Sequence, residues 1–123
     1  MLKTKKQVKN GEWFRDQIRA FLIRNGATEQ LNKAYEFVII TKLGTLQVSV
    51  YPDWIACRFD DVERAVAVIG RHGMNPCSGK WNHLFDQSYF QSKEMASRAV
   101  ATFEADLTRY LPDPPLPGEG TVP

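Results

Sequence analysis

The sequence predicts an α+β fold, an antiparallel meander sheet with helices packed on one face in the order α-β-β-β-α-(β)-α. Three observations predict it. A segment with apolar residues at helical spacing opens the chain, three runs with strand character follow in quick succession, and a second long helical segment comes near the end. Connections of so few residues permit hairpins and leave no room for βαβ crossovers. A length of 123 residues with 43% apolar side chains suits one core, and a single domain over residues 1–111 is expected.

The first helix is signalled by Phe14, Ile18, Phe21 and Leu22, which recur at i, i+4, i+7 and i+8, with Trp13 and Ala20 near the same side. Glu12, Arg15, Asp16 and Arg19 fall toward the other face. Thr4 and Gln7 match a capping box, so the helix can begin that early, with Gly11 as a weak point inside it. Asn25-Gly26 supplies the stop, and residues 27–33 read as a short polar turn.

Three strands are expected next. Tyr35 to Thr41 is rich in β-branched and aromatic residues, and Gly44 marks a tight connection. Leu46, Val48 and Val50 alternate with Gln47, Ser49 and Tyr51, as in a strand buried on one face. Pro52-Asp53 turns the chain into Trp54 to Phe59. Asp60 and Glu63 then open a helix lined by Val62, Ala65, Val66 and Ile69 and ended by Gly70 and Gly73. Residues 73–80 are dense in turn formers. Lys80 to Phe85 is a candidate fourth strand, with Trp81, His83 and Phe85 alternating against Asn82 and Leu84. A last helix from about Ser92 to Leu111 carries the stripe Met95, Ala99, Phe103 and Leu107, widened by Ala96, Val100, Tyr110 and Leu111, and Pro112 ends it. Residues 112–123 read as a Pro-rich flexible tail, docked locally through Leu116.

Sixteen Lys and Arg against fourteen Asp and Glu leave a formal charge of +2, too balanced to name a partner and unlike an acidic mimic of DNA. The distribution is uneven. Residues 1–25 carry Lys3, Lys5, Lys6, Lys9, Arg15, Arg19 and Arg24 against Glu12 and Asp16, with residues 1–9 as a basic arm. No apolar run approaches the roughly 18 residues needed to span a bilayer, and no apolar segment with a cleavage site follows the basic start. A cytoplasmic protein without a membrane partner is the expectation.

Several chemistries fail against the residues. Cys57, His72, Cys77 and His83 lack the close Cys pair of a zinc module, and their chance pairing is a poor basis for a thiol nucleophile. Gly73 to Lys80 superficially resembles a phosphate loop, but five residues separate Gly73 from Gly79-Lys80 and Trp81 follows. Ser78, Gly79 and Lys80 stay a weak candidate for holding an anion through turn amides. Asp60, Asp61 and Glu63 cluster as metal ligands would, yet they stand where a helix begins, and capping is the favoured reading. The order α-β-β-β-α is shared with double-stranded-RNA-binding domains. Those present cations at the start of the second helix, where this chain has Asp60-Asp61-Val62-Glu63. No catalytic residue, metal or cofactor is assigned.

Two surfaces are left. Aromatics in or beside strands, Tyr35, Tyr51, Trp54, Phe59, Trp81 and Phe85, exceed what one covered face requires, and Tyr51, Trp54 and Trp81 are the candidates for binding a protein partner. The alternative is nucleic-acid binding through Lys3, Lys5, Lys6, Lys9, Arg15, Arg19 and Arg24. Self-association through the sheet face or an unpaired edge strand is compatible with either.

The stretches Gly44-Thr45-Leu46-Gln47-Val48-Ser49-Val50-Tyr51, Asp53 to Ala65, and Asn75-Pro76-Cys77-Ser78-Gly79-Lys80-Trp81-Asn82 resemble a small family of uncharacterised proteins encoded in bacteriophages, prophages and plasmids. The resemblance covers residues 35–85, and Ser78-Gly79-Lys80-Trp81-Asn82 is its most specific part. Cys77 departs from the pattern, which has an aromatic there. The resemblance implies a setting, an accessory gene of a mobile element in a bacterial cytoplasm, and no activity. A non-enzymatic protein that docks on a protein partner, with a host or defence factor as the candidate, is therefore the leading expectation.

Overall fold

Thr4 starts the first helix, α1 (Lys5–Arg24). Its hydroxyl accepts from the Gln7 N–H at 3.1 Å while Gln7 Oε1 accepts from the Thr4 N–H at 2.9 Å, the reciprocal capping box that the sequence predicts. The computed structural model describes residues 3–70, 74–75 and 77–113. The element order is α1, β1 (Thr28–Glu29), β2 (Glu36–Thr41), β3 (Gly44–Val50), β4 (Trp54–Phe59), α2 (Val62–Ile69), β5 (Lys80–Leu84), a 3₁₀ turn (Gln87–Phe90) and α3 (Lys93–Thr108).

The strands form one antiparallel sheet in the order β1-β2-β3-β4-β5, so the expected α+β meander is what the chain adopts. Hairpin connections account for this: at positive φ, Gly44 makes the turn after Thr41, and a Cβ there would stand 2.8 Å from Asp60 Oδ1. One face of the sheet is the floor of the core, formed by Phe37, Ile39, Leu46, Val48, Val50, Ile55, Cys57, Phe59 and Trp81. α1 covers it with Phe14, Ile18, Phe21 and Leu22, and α3 with Ala96, Ala99, Val100, Phe103 and Leu107. Phe21 meets Phe103 edge to face at 6.4 Å, which locks the two helices side by side. Each fully buried Phe contributes about 1.5–3 kcal/mol relative to exposure. Asn10 is buried with them, its Nδ2 donating to the Phe90 carbonyl at 2.8 Å, so its burial carries no unsatisfied amide donor there.

Four expectations are corrected. Residues 27–33 are not simply a turn, because Thr28 and Glu29 pair with Val38 and Phe37; two residues are too few to show an alternation. Residues 1–9 are not an arm throughout, since helical turns begin at Lys5. The last helix stops at Thr108 rather than Leu111, and the Tyr110 and Leu111 N–H groups bond only to Leu107 and Thr108 carbonyls. Met95, expected in the stripe of that helix, is only half-buried, while Ala96, Ala99, Val100, Phe103 and Leu107 are buried as expected. The tail beyond Asp113, with Leu116, lies outside the described residues, as do His72 and Gly73.

Candidate interaction surface

Alternation sends every second strand residue away from the helices. The register then aligns those outward residues in rows. Glu36, Ser49, Ala56 and Asn82 form one, and Thr28, Val38, Gln47, Arg58 and Lys80 the next. Ile40 opposes Thr45 at one end, and Trp54 opposes Leu84 at the other. Among the described residues no element packs over this face: Ile40 is 70% exposed and Leu84 75%.

The aromatic end is built with care for position. Tyr51 and Trp54 flank the Pro52-Asp53 turn with their rings stacked at 4.4 Å and 6°. The Tyr51 N–H donates to the Trp54 carbonyl at 2.9 Å. Asp53 accepts from Lys3 Nζ at 3.0 Å and Gln87 Nε2 at 2.9 Å, which ties the turn to the start of α1 and to the 3₁₀ turn. Gly11 lets the helix backbone press on Pro52, where a Cβ would come within 2.8 Å of the carbonyl oxygen. Three contacts, from Lys3, Gly11 and Gln87, thus hold the turn between the two rings in place.

Beside it, a depression of about 240 Å³ is lined by Gln47, Ser49, Trp54, Ala56, Arg58, Lys80 and Asn82. Arg58 and Lys80 are directly opposite each other on β4 and β5, both exposed, and neither reaches a carboxylate among the described residues. A second depression of about 310 Å³ lies beyond Tyr51, lined by Lys33, Ala34, Tyr35, Glu36, Ser49 and Val50, and Ser49 borders both.

The structure separates the three aromatics assigned to protein binding. Tyr51 and Trp54 stand together on the open face, but Trp81 points the other way: it is 6% exposed and packs on Phe59 at 5.8 Å and Tyr110 at 5.6 Å. Trp81 is core, because its register opposite the buried Cys57 puts it on the helix side.

Most of the seven N-terminal cations are engaged within the chain. Lys3 pairs with Asp53. Arg19 bonds Glu29 through Nη2 at 2.8 Å and Nε at 3.2 Å, and these bonds together with the Tyr35 N–H hold the Glu29 carboxyl below its ordinary range. Arg15 lies over the Tyr35 ring at 4.0 Å, and the Tyr35 hydroxyl donates to Asp16 at 2.7 Å, which pushes that phenol's titration up. Arg24 sits 5.9 Å from the Phe21 ring. The polar side of α1 is therefore fastened to β1 and the segment before β2, and of the seven cations Lys5, Lys6, Lys9 and Arg24 are exposed without an ion pair among the described residues.

The 78–80 loop does not present its amides. Asn75 Oδ1 accepts from the Cys77 and Ser78 N–H groups at 2.9 and 3.3 Å, and the Gly79 N–H donates to the Asn75 carbonyl at 3.0 Å. The Ser78 and Gly79 amides are thus engaged within the loop, the Ser78 Oγ is buried without a hydrogen-bond partner, and Lys80 belongs to the open face instead. Asp61 caps α2 through the Arg64 N–H, whereas Asp60 accepts from the Thr45 N–H at 3.0 Å and braces β3. Cys57 is buried and Cys77 exposed, both as free thiols. Among the described residues no group of three His, Cys, Asp or Glu is gathered to hold a metal, and no helix is long and apolar enough to cross a membrane.

Arg58, Gln47 and Asn82 escaped the sequence reading. Alternation marks each as outward-facing, but only the register shows that they share one depression with Trp54. Compared with known proteins, the chain matches no family model, and no curated protein or solved structure is significantly similar to it.

Proposed function

We propose that the protein works by binding rather than catalysis and that the open face of its sheet is the contact surface for a macromolecular partner. The observation that carries this reading is the asymmetry of the sheet. α1 and α3 seal one face, while the other presents Tyr51, Trp54, Leu84, Arg58 and Lys80. Tyr, Trp and Arg are the side chains most enriched at binding hot spots, because they bury large area and keep a polar handle. Of the aromatics expected to bind a protein, Tyr51 and Trp54 lie on this face, whereas the N-terminal cations expected to bind a nucleic acid belong to α1 and the segment before it; the cations of this face are Arg58 and Lys80. A setting as an accessory protein of a bacterial mobile element, implied by the resemblance over residues 35–85, is part of the proposal.

The test is retention of partners from a bacterial lysate on the immobilised protein, with and without nuclease. A Trp54→Ala/Arg58→Ala variant is expected to lose what the wild type retains, and a Lys5→Ala/Lys6→Ala/Lys9→Ala variant to keep it. The opposite pattern would move the contact surface to α1.

A further inference from the structure

We infer that the open face binds single-stranded nucleic acid, with phosphates held at Arg58 and Lys80 and a base against Trp54. The inference rests on the reading that this face is the contact surface, and it names the partner. Like charges directly opposite each other destabilise a sheet, yet Arg58 and Lys80 occupy paired positions on β4 and β5 with no carboxylate in ion-pair reach among the described residues. Lys3, Arg19 and Lys42 are matched by Asp53, Glu29 and Asp113; Lys5, Lys6 and Lys9 are unmatched too, but they stand on a helix and not in paired positions of a sheet. An anion supplied from outside removes the repulsion.

A protein carboxylate would also do so, but the surroundings of the pair favour a nucleic acid. The depression that the two cations border is also lined by Trp54, Gln47 and Asn82, which the register places on the same outward face. An amide side chain offers donors and acceptors together, as base edges do, and every base has a π face to set against an aromatic ring. Trp54 and Arg58 are four residues apart on one strand, roughly 13 Å at about 3.3 Å per residue. A base at one and a phosphate at the other thus call for an extended strand rather than a mononucleotide. A duplex fits poorly, since its bases are stacked inside and offer Trp54 no free π face. Sheet faces that pair aromatic rings with cations are a general way of holding unstacked bases.

The experiment is fluorescence anisotropy of the full chain with labelled RNA and DNA single strands of about 12 nucleotides, and with a hairpin duplex, across a salt series. Single strands are expected to bind, at least about tenfold tighter than the duplex, with affinity falling as salt rises. Arg58→Glu is expected to weaken binding by about tenfold or more while its thermal midpoint holds or rises, because a Glu opposite Lys80 replaces repulsion by attraction. A loss of binding with a retained midpoint cannot be unfolding. Trp54→Ala should weaken binding by about fivefold or more, and Trp54→Phe should restore much of it. Absence of binding at low salt, equal affinity for the duplex, or affinity indifferent to Arg58→Glu would each overturn the assignment. If oligonucleotides fail while nuclease-resistant protein retention still depends on Trp54 and Arg58, the partner is a protein and the open-face reading stands. If the face variants retain partners as the wild type does, the open-face reading itself falls.

Discussion

His83 of β5 and Asp106 of α3 face each other at 3.4 Å along the side of the core, the imidazole lying between Trp81 at 4.5 Å and Phe103 at 5.1 Å. The nitrogen turned away from Asp106, Nδ1, is buried with no hydrogen-bond partner. Burial disfavours the imidazolium and lowers the titration of His83 from its ordinary value near 6.5, and the Asp106 carboxylate opposes that shift without cancelling it.

The consequence is a loss of stability on mild acidification. Between the ordinary value and the lowered one, the unfolded chain binds a proton that the folded chain does not, so stability rises with pH across that window. Stability is expected to be full above about pH 6.5 and to fall as pH drops toward the folded-state value. Urea unfolding at pH 7.5 and 5.5 measures the difference, and His83→Phe should reduce it. An undiminished difference in the variant would place the titrating group elsewhere.

Gly11 sits inside α1, where alanine is ordinarily better by about 1 kcal/mol. Here the Cβ of alanine would meet Pro52 at 2.8 Å from its carbonyl oxygen and 3.2 Å from its Cβ, both parts of an anchored turn. Gly11→Ala is expected to destabilise by about 1–3 kcal/mol, as overpacking does. Chemical denaturation reads the sign directly, and a gain would mean that the turn yields.

Trp81 and Trp54 should part company on truncation. Trp81→Ala empties a core site and is expected to cost about 3–5 kcal/mol. Trp54→Ala removes a ring stacked on Tyr51 at the surface and is expected to cost about 1 kcal/mol. Equal losses in urea unfolding would contradict the opposite orientations of the two side chains.

The two thiols differ in environment. Burial of Cys57 pushes its titration far up, which leaves it protonated and shielded, while Cys77 is exposed. A disulfide-exchange reagent is expected to titrate one thiol in the native protein and two in denaturant. Two fast thiols under native conditions would show that the sheet opens at β4.

The sequence by itself determined the local devices. The Thr4–Gln7 capping box, the glycine turn at Gly44, the alternation of Leu46, Val48 and Val50, and the helical stripe of α3 through Ala99, Phe103 and Leu107 each depend on neighbours a few positions away, and each is present as the residues imply. What it left open depends on partners far along the chain. The strand β1 exists only because β2 is there to pair with it, and Arg15 and Arg19 look like free cations until Tyr35 and Glu29 are brought to them. The direction of Trp81, and the meeting of Arg58 with Lys80 beside Trp54, follow from the register of β4 against β5. Register is a choice among pairings that the burial of one whole face decides, because a slip by one residue would expose Trp81 and bury Lys80. The candidate surface is for that reason a property of the tertiary structure, assembled from residues whose sequence positions carry no mark of their common place.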